Sequence, residues 1–513
     1  MIVKTDQAEI QNYLKDASNT KGFCDAVYFP ENANDIINIL KQANENKIAV
    51  TVCGNRTGLT GASVPKGGIV LSTEKLNKII EINEKEKYAI VEPGVLLADF
   101  LKELKSYSLY YPPDPTELNC FIGGTVATNA SGAKTFKYGS TRDFILGLEI
   151  ILPTGELINI IRGKNLADGN ILHVSTESNK SYKLKIPDIN IALSKNAAGY
   201  FCKENMDVID LFIGSEGTLG IFKRIKLKLL QAPVKVLSSV IFFNSEENGL
   251  NFIIDAREKS YSTRQSKKII AIDALALEYF DKNSLELLRE DYPNIPVNTE
   301  SAVWFEQELN DESGDQLTEL WLELIGKHDG NINDSWIAMN DKDKSEFEKF
   351  RHAISAKVNE FISSHNYRKL GTDFAVPDNQ LKDFYSQIKN AVSKTGLSFV
   401  IYGHFGNSHI HLNMLPKNDN ELEVAKKLYN DICYFAIKIG GTFSAEHGVG
   451  KNKTELLYRM YGEQVVKEMF EIKKTFDPNL TWFSVTVIFL IHHLDSALLI
   501  VSSSNFLLNG LEM

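Results

Sequence analysis

Close cysteine pairs are missing from this chain. Its five cysteines, Cys24, Cys53, Cys120, Cys202 and Cys433, are scattered over 513 residues. That spacing excludes a zinc ribbon or a paired redox motif and fits a reducing cytoplasm. An excess of positive charge is also missing: 56 Lys and Arg against 66 Asp and Glu give a net charge of -10, so the surface repels phosphate backbones and no nucleic-acid partner is expected. The first ten residues lack the basic flank and apolar run of a secretory signal. The most apolar stretch, residues 482–501, is interrupted by His492, His493 and Asp495. A spanning helix needs about 20 predominantly apolar residues, so this stretch reads as a packed or adherent tail, with contact to the inner face of a membrane left open. No G-x-G-x-x-G follows a strand in a βαβ unit, which leaves Rossmann-type nicotinamide binding without support. Internal repeats and low-complexity blocks are absent.

What is present is ordinary globular material, 43% hydrophobic and 24% charged, in a chain long enough for two folded units. Up to residue 230, short β-rich runs alternate with Gly-rich turns, an α+β pattern. A helix is expected over 35–46, with Ile36, Ile39, Leu40 and Ala43 on one face, followed by a strand over 48–53. Further strands are expected over 68–72, 88–91, 146–152 and 221–230. Near 231–233 glycine thins out and longer helical patterns begin, which sets a domain boundary. Beyond it the pattern predicts a strand over 234–243, a helix over 246–259, a strand over 268–273, a helix over 275–289 and a long helix over 344–364.

Three Gly-rich loops lie in the first part. Residues 52–65 read VCGNRTGLTGASVP, residues 121–140 FIGGTVATNASGAKTFKYGS and residues 213–222 IGSEGTLGIF. Glycine permits close approach and inward-pointing backbone N–H groups that cradle a pyrophosphate. Each glycine also raises the entropy lost on folding, so three such loops in one domain point to one large, elongated ligand. These segments resemble the flavin-binding domain of the vanillyl-alcohol-oxidase, or PCMH-type, flavoprotein superfamily, over residues 20–230. The resemblance implies FAD, with Gly54, Asn55, Arg56, Thr57, Gly58, Leu59 and Thr60 at the pyrophosphate. It also implies Pro113, Gly123, Gly124, Asn129, Ser131, Gly132, Glu216, Gly217 and Ile221 at the adenine and isoalloxazine sites. Some members tether flavin through a histidine in the first loop; residues 52–65 contain none, so the FAD is expected to be non-covalent.

Three of the ten histidines fall within residues 402–415, YGHFGNSHIHLNML. Gly406 and Asn407 suit a two-residue hairpin turn, which would set His404 opposite His409 and place His411 and Asn413 on the same face. Residues 440–453, GGTFSAEHGVGKNK, add Glu446 beside His447. Two histidines and a glutamate form the pattern of a metal site with an open position. Both segments resemble the C-terminal half of the FAD-linked D-2-hydroxy acid dehydrogenases, a group that includes D-lactate dehydrogenases, glycolate oxidase flavin subunits and D-2-hydroxyglutarate dehydrogenases. The resemblance implies that His404, His411 and Glu446 bind a divalent metal, zinc first among candidates. It makes His447 the catalytic base, places Asn413 near the substrate and pairs Arg351 with the substrate carboxylate. Most members carry asparagine where His409 stands, which makes His409 an added polar contact or an extra ligand, the former preferred. A family lysine is replaced by Gly371, with Lys369 as the candidate substitute.

The implied fold is a PCMH-type FAD-binding domain of two α+β subdomains followed by a ferredoxin-like α+β substrate domain. The boundaries are an N-terminal helix (1–20), the FAD-binding domain (21–232), the substrate and metal domain (233–480) and an atypical apolar tail (481–513). Asp477-Pro478 matches the family's closing turn, whereas the sequence from Thr481 onward does not. The implied activity is oxidation of a small D-2-hydroxy acid, D-lactate favoured, with hydride passing to flavin N5 and electrons onward to a quinone, a cytochrome or an electron-transfer flavoprotein. An oxygen-using flavin alcohol or sugar oxidase and a non-catalytic flavin-binding subunit are the alternatives. A homodimer is left open.

Overall fold

The computed structural model describes residues 1–482 apart from 190–191, 269, 310–313, 366 and 368–369. Lys369 and all but the first two residues of the apolar tail therefore lie outside the described residues.

The helix Ala33–Glu45 buries Ile36, Ile39, Leu40 and Ala43 on one face, and the Asn32 side chain accepts from Asp35 N at its start, satisfying an amide that has no partner within the helix. It packs on a four-stranded sheet in the order Ile2–Lys4, Ala26–Phe29, Ile69–Ser72, Val50–Cys53. Ile69–Ser72 pairs in parallel with both of its neighbours. The strand Val50–Cys53 delivers the first Gly-rich loop at its carboxyl end. Instead of a helix over residues 1–20, the chain forms the edge strand Ile2–Lys4, a single helical turn at Gln7–Ile10 and a 3-10 turn at Gln11–Tyr13. Pairing of Ile2–Lys4 with Ala26–Phe29 satisfies its backbone better than a short isolated helix would.

The second subdomain is a five-stranded antiparallel sheet in the order Ile79–Asn83, Tyr88–Val91, Ile221–Lys228, Ile145–Ile151, Leu157–Ile161. The third Gly-rich loop runs straight into its central strand, and the second contains the helix Ile122–Thr128.

The C-terminal domain is α+β as expected, but larger than a single ferredoxin-like unit. Among the described residues its sheet has eight strands, with Lys235–Phe243, Ser301–Leu309, Ala276–Asp281, Phe399–Gly403 and His409–Met414 adjacent in that order. The helix Asp341–Ser364 buries Phe350, Arg351, Ile354 and Val358. Residues 268–273 form no strand among the described residues, and Ala276–Asp281 is a strand where a helix is expected. Its run ALEYFD pairs on both sides, with Ser301–Leu309 and with Phe399–Gly403, and this tertiary pairing outweighs the helix propensity of Ala and Leu.

The last described helical segment, Thr454–Phe476, kinked at the non-helical Gly462, returns to the flavin-binding half: Phe476 packs on Tyr182 and Phe212, and Lys473 Nζ donates to the Thr218 carbonyl at 3.0 Å. Trp482 is fully buried there, and Val50 N donates to the Thr481 carbonyl at 2.8 Å. Among the described residues, no helix is long and apolar enough to cross a membrane.

Candidate active site

The three Gly-rich loops converge on one groove. It is lined by Gly54 through Thr60, Gly123, Gly124, Ser131, Glu216, Gly217 and Ile221, with Thr73, Pro93 and Phe121 as walls that sequence reasoning missed. A Cβ built on Gly124 meets nothing within 4 Å, and one on Gly54 or Gly58 meets a single atom at 3.9 Å, so these glycines leave open the space an elongated cofactor needs. Gly124→Val is expected to weaken FAD binding by about 10- to 100-fold, the equivalent of an overpacking cost of about 1–3 kcal/mol, with little change in Tm of the apoprotein. A flavin-fluorescence titration giving wild-type affinity would rule out the flavin at this wall.

Pro113, Asn129 and Gly132 do not line the groove. Gly132 is required because a Cβ there would fall 2.1 Å from the Asp114 carbonyl, while Asn129, in the left-handed region, ends a helix and accepts from Arg142 N. Glu216 does line the groove, but its carboxylate accepts from Val449 N (2.8 Å) and Gly450 N (2.7 Å). It clamps the loop that carries Glu446 and His447 to the flavin half.

That loop forms the end of the groove, where Glu446 and His447 are themselves lining residues. Opposite them stands the histidine hairpin. Its turn is wider than two residues: Phe405–Asn407 form a 3-10 turn and Ser408 adopts the left-handed conformation. His404 still faces His409, whose N donates to the His404 carbonyl. Nor is the histidine face solvated, for His404 and His409 are buried. Donor atoms of His404, His409, His411 and Glu446 all lie within 4.8 Å of one another.

Outer partners decide which nitrogens are available. His404 Nδ1 donates to Glu278 Oε1 at 2.7 Å, and His411 Nδ1 donates to the Thr372 carbonyl at 3.1 Å. Each ring thereby turns its Nε2 inward, 3.5 Å and 3.4 Å from the two Glu446 oxygens. This second-layer orientation is characteristic of histidine metal ligands, so the residues present fit a divalent ion. Burial opposes the charge on Glu278, but His404 and Arg351 hold its carboxyl well below the usual range. Burial likewise opposes charge on Glu446, and Lys195, His404 and His409 hold its carboxyl low.

His447 sits beside this cluster, with Nδ1 3.3 Å from Asp373 Oδ2 and Nε2 3.6 Å from Glu446 Oε1. Its backbone N also donates to Asp373, at 2.9 Å. Burial pushes the imidazole down to about 4, against the pull of Asp373 and Glu446. Asp373 is a fully buried hub that also takes His409 Nε2 at 2.9 Å and Ser444 Oγ at 3.0 Å. Arg351 is buried rather than exposed, and its Nε donates to Glu278 at 3.1 Å. Asn413 lies in the hairpin strand opposite Val400 and interacts with the Tyr402 hydroxyl.

Sequence reasoning missed Glu278, Asp373 and Lys195. A single buried acid or lysine carries no local pattern; only Asp373 stands close to residues already singled out, Lys369 and Gly371.

Residues 24–160 match the family described as FAD binding domain, and residues 245–481 match that described as FAD linked oxidases, C-terminal domain. The chain is 29% identical over 460 residues to glycolate oxidase subunit GlcD of Bacillus subtilis, covering 88% of this chain and 87% of the relative. It is 28% identical to a D-lactate dehydrogenase of Anaerostipes hadrus (87% and 86%) and 27% identical to a D-2-hydroxyglutarate dehydrogenase of Stutzerimonas stutzeri (93% and 94%). The fold is shared with alkyldihydroxyacetonephosphate synthase at a TM-score of 0.64 and 16% identity, over 94% of this chain and 81% of that one.

Proposed function

Because this chain belongs to the PCMH-type FAD-linked oxidase family and is an FAD-dependent oxidoreductase of its D-2-hydroxy acid dehydrogenase group, we propose that it oxidises a small D-2-hydroxy acid, D-lactate first, to the 2-keto acid. The observation that carries this reading is the convergence of His404 Nε2, His411 Nε2 and the Glu446 carboxylate beside His447, at the end of the flavin groove. The names of the relatives share a 2-hydroxy acid as substrate. D-lactate is favoured because, apart from Arg351, the lysines around the site are each opposed by an acid: Lys195 by Glu446, Lys134 by Glu306 and Lys453 by Asp373. A second substrate carboxylate would therefore have to compete with those acids.

In this reading His404, His411 and Glu446 hold the divalent ion, with zinc the first candidate for such a ligand set. Bound FAD supplies the hydride acceptor, and the ion supplies the Lewis acidity that lowers the pKa of the alcohol. His447, neutral at physiological pH, takes the hydroxyl proton at Nε2, while Asp373 fixes the ring through Nδ1. Arg351 meets the substrate carboxylate with the guanidinium nitrogens that Glu278 does not take, and Asn413 stands near the substrate. Electrons leave to a quinone, a cytochrome or an electron-transfer flavoprotein.

The test is anaerobic: D-lactate, L-lactate, glycolate and D-2-hydroxyglutarate are added separately to the purified flavoprotein, with and without chelation. Bleaching of the flavin band by a D-acid, abolished by chelator and restored by zinc or manganese, is expected. A yellow protein that no acid reduces after metal is restored would sink the proposal and favour a flavin-binding subunit without catalysis.

A further inference from the structure

We infer that Lys195 is a positioning residue that locks His409 out of the ion's ligand set and so keeps a coordination position open for substrate. This rests on the reading of His404, His411 and Glu446 as ligands. By distance alone His409 belongs with them: its Nδ1 is 3.9 Å from Glu446 Oε2, and its ring lies 4.4 Å from that of His411. Four protein ligands would close a tetrahedral site, whereas catalytic sites keep three and leave the fourth position to water or substrate.

His409 differs from the other two histidines in where its nitrogens point. His404 and His411 engage acceptors through Nδ1 and turn Nε2 inward. In His409 the arrangement is reversed, with Nε2 on Asp373 Oδ1 at 2.9 Å and Nδ1 facing the Lys195 ammonium at 3.4 Å. An ammonium has only donors and a carboxylate only acceptors. The proton of His409 therefore sits on Nε2, and the lone pair on Nδ1, which an ion would need, receives a Lys195 N–H.

Lys195 is built for this position. Its side chain is 1% exposed, and its ammonium faces three acceptors: the Gly132 carbonyl at 3.1 Å, Glu446 Oε2 at 3.1 Å and His409 Nδ1. Three donors thus meet three acceptors. Lys195 does not line the flavin groove. The next segment of its loop is fastened to the Glu446 loop, since Ala197 N donates to the Ser444 carbonyl at 2.8 Å.

The test replaces the ion with Co2+ in the FAD-loaded protein and reads the cobalt ligand-field absorption to the red of the flavin band, which reports the number and kind of ligands. Lys195→Met is expected to change that spectrum, because Nδ1 is released and joins the ion. His409→Asn alone and the double variant Lys195→Met/His409→Asn are expected to keep the wild-type spectrum. A wild-type spectrum in Lys195→Met would overturn the inference while leaving the ion site intact. A changed spectrum in His409→Asn would also overturn it, since His409 would then already be a ligand; this variant decides the matter if Lys195→Met does not fold. Absence of any Co2+ binding to the wild-type protein would instead defeat the ion site itself.

Discussion

His447→Gln is expected to slow anaerobic flavin reduction by the D-acid about 10²- to 10⁴-fold, the usual contribution of a positioned general base. Glutamine retains a polar side chain of similar reach at the end of the groove but has no nitrogen that accepts a proton. FAD binding should persist, because the groove is built chiefly from the Gly-rich loops. The pH dependence supplies a second signature. Burial pushes His447 down to about 4, so the imidazole is proton-free throughout the neutral range and takes up its own proton only as pH falls towards that value. The wild-type rate should therefore hold through pH 6.5, where an ordinary histidine titrates, and decline nearer 4; the variant's residual rate should lack this limb. Stopped-flow reduction across that range checks both points. A variant that reduces flavin at the wild-type rate would remove His447 from the mechanism.

Glu446→Gln should be costly in two separate ways. The carboxylate balances the Lys195 ammonium, and the two side chains are only 11% and 1% exposed. Neutralising one member of a buried pair leaves the other without compensation, at a typical cost of about 3–5 kcal/mol. Ser131 Oγ, which donates to the same carboxylate at 3.0 Å, would still find an amide oxygen, so packing is largely kept and the loss is one of charge. The same substitution removes the anionic ligand between His404 and His411, so bound divalent ion should fall to background after gel filtration. Denaturant unfolding and elemental analysis measure the two effects independently. Wild-type stability together with a full complement of ion would show that Glu446 neither balances Lys195 nor holds the metal.

The parts of this site that local pattern could reveal are those built from neighbours in the chain. His404 and His409 follow from a turn, His411 and Asn413 from the two-residue period of a strand, and the groove from glycines clustered at loop positions. The helix Ala33–Glu45 was legible because its apolar residues repeat at helical spacing. By contrast, Ala276–Asp281 is short and buried on both faces, so periodicity could not separate strand from helix; its partners lie far along the chain. A family motif marks a loop as flavin-binding without saying which of its residues face the cofactor and which secure the turn.

The amino-acid sequence by itself determined that this is a flavin-binding α+β protein with a histidine and glutamate cluster joined to a second domain, since each of these features is written in contiguous residues. Only the tertiary structure decided which nitrogens face inward and which charges are balanced. Glu278 reaches His404 across 126 positions and Lys195 reaches Glu446 across 251. A buried charge must find its counter-charge wherever folding brings one within reach, and no local pattern of residues records that choice.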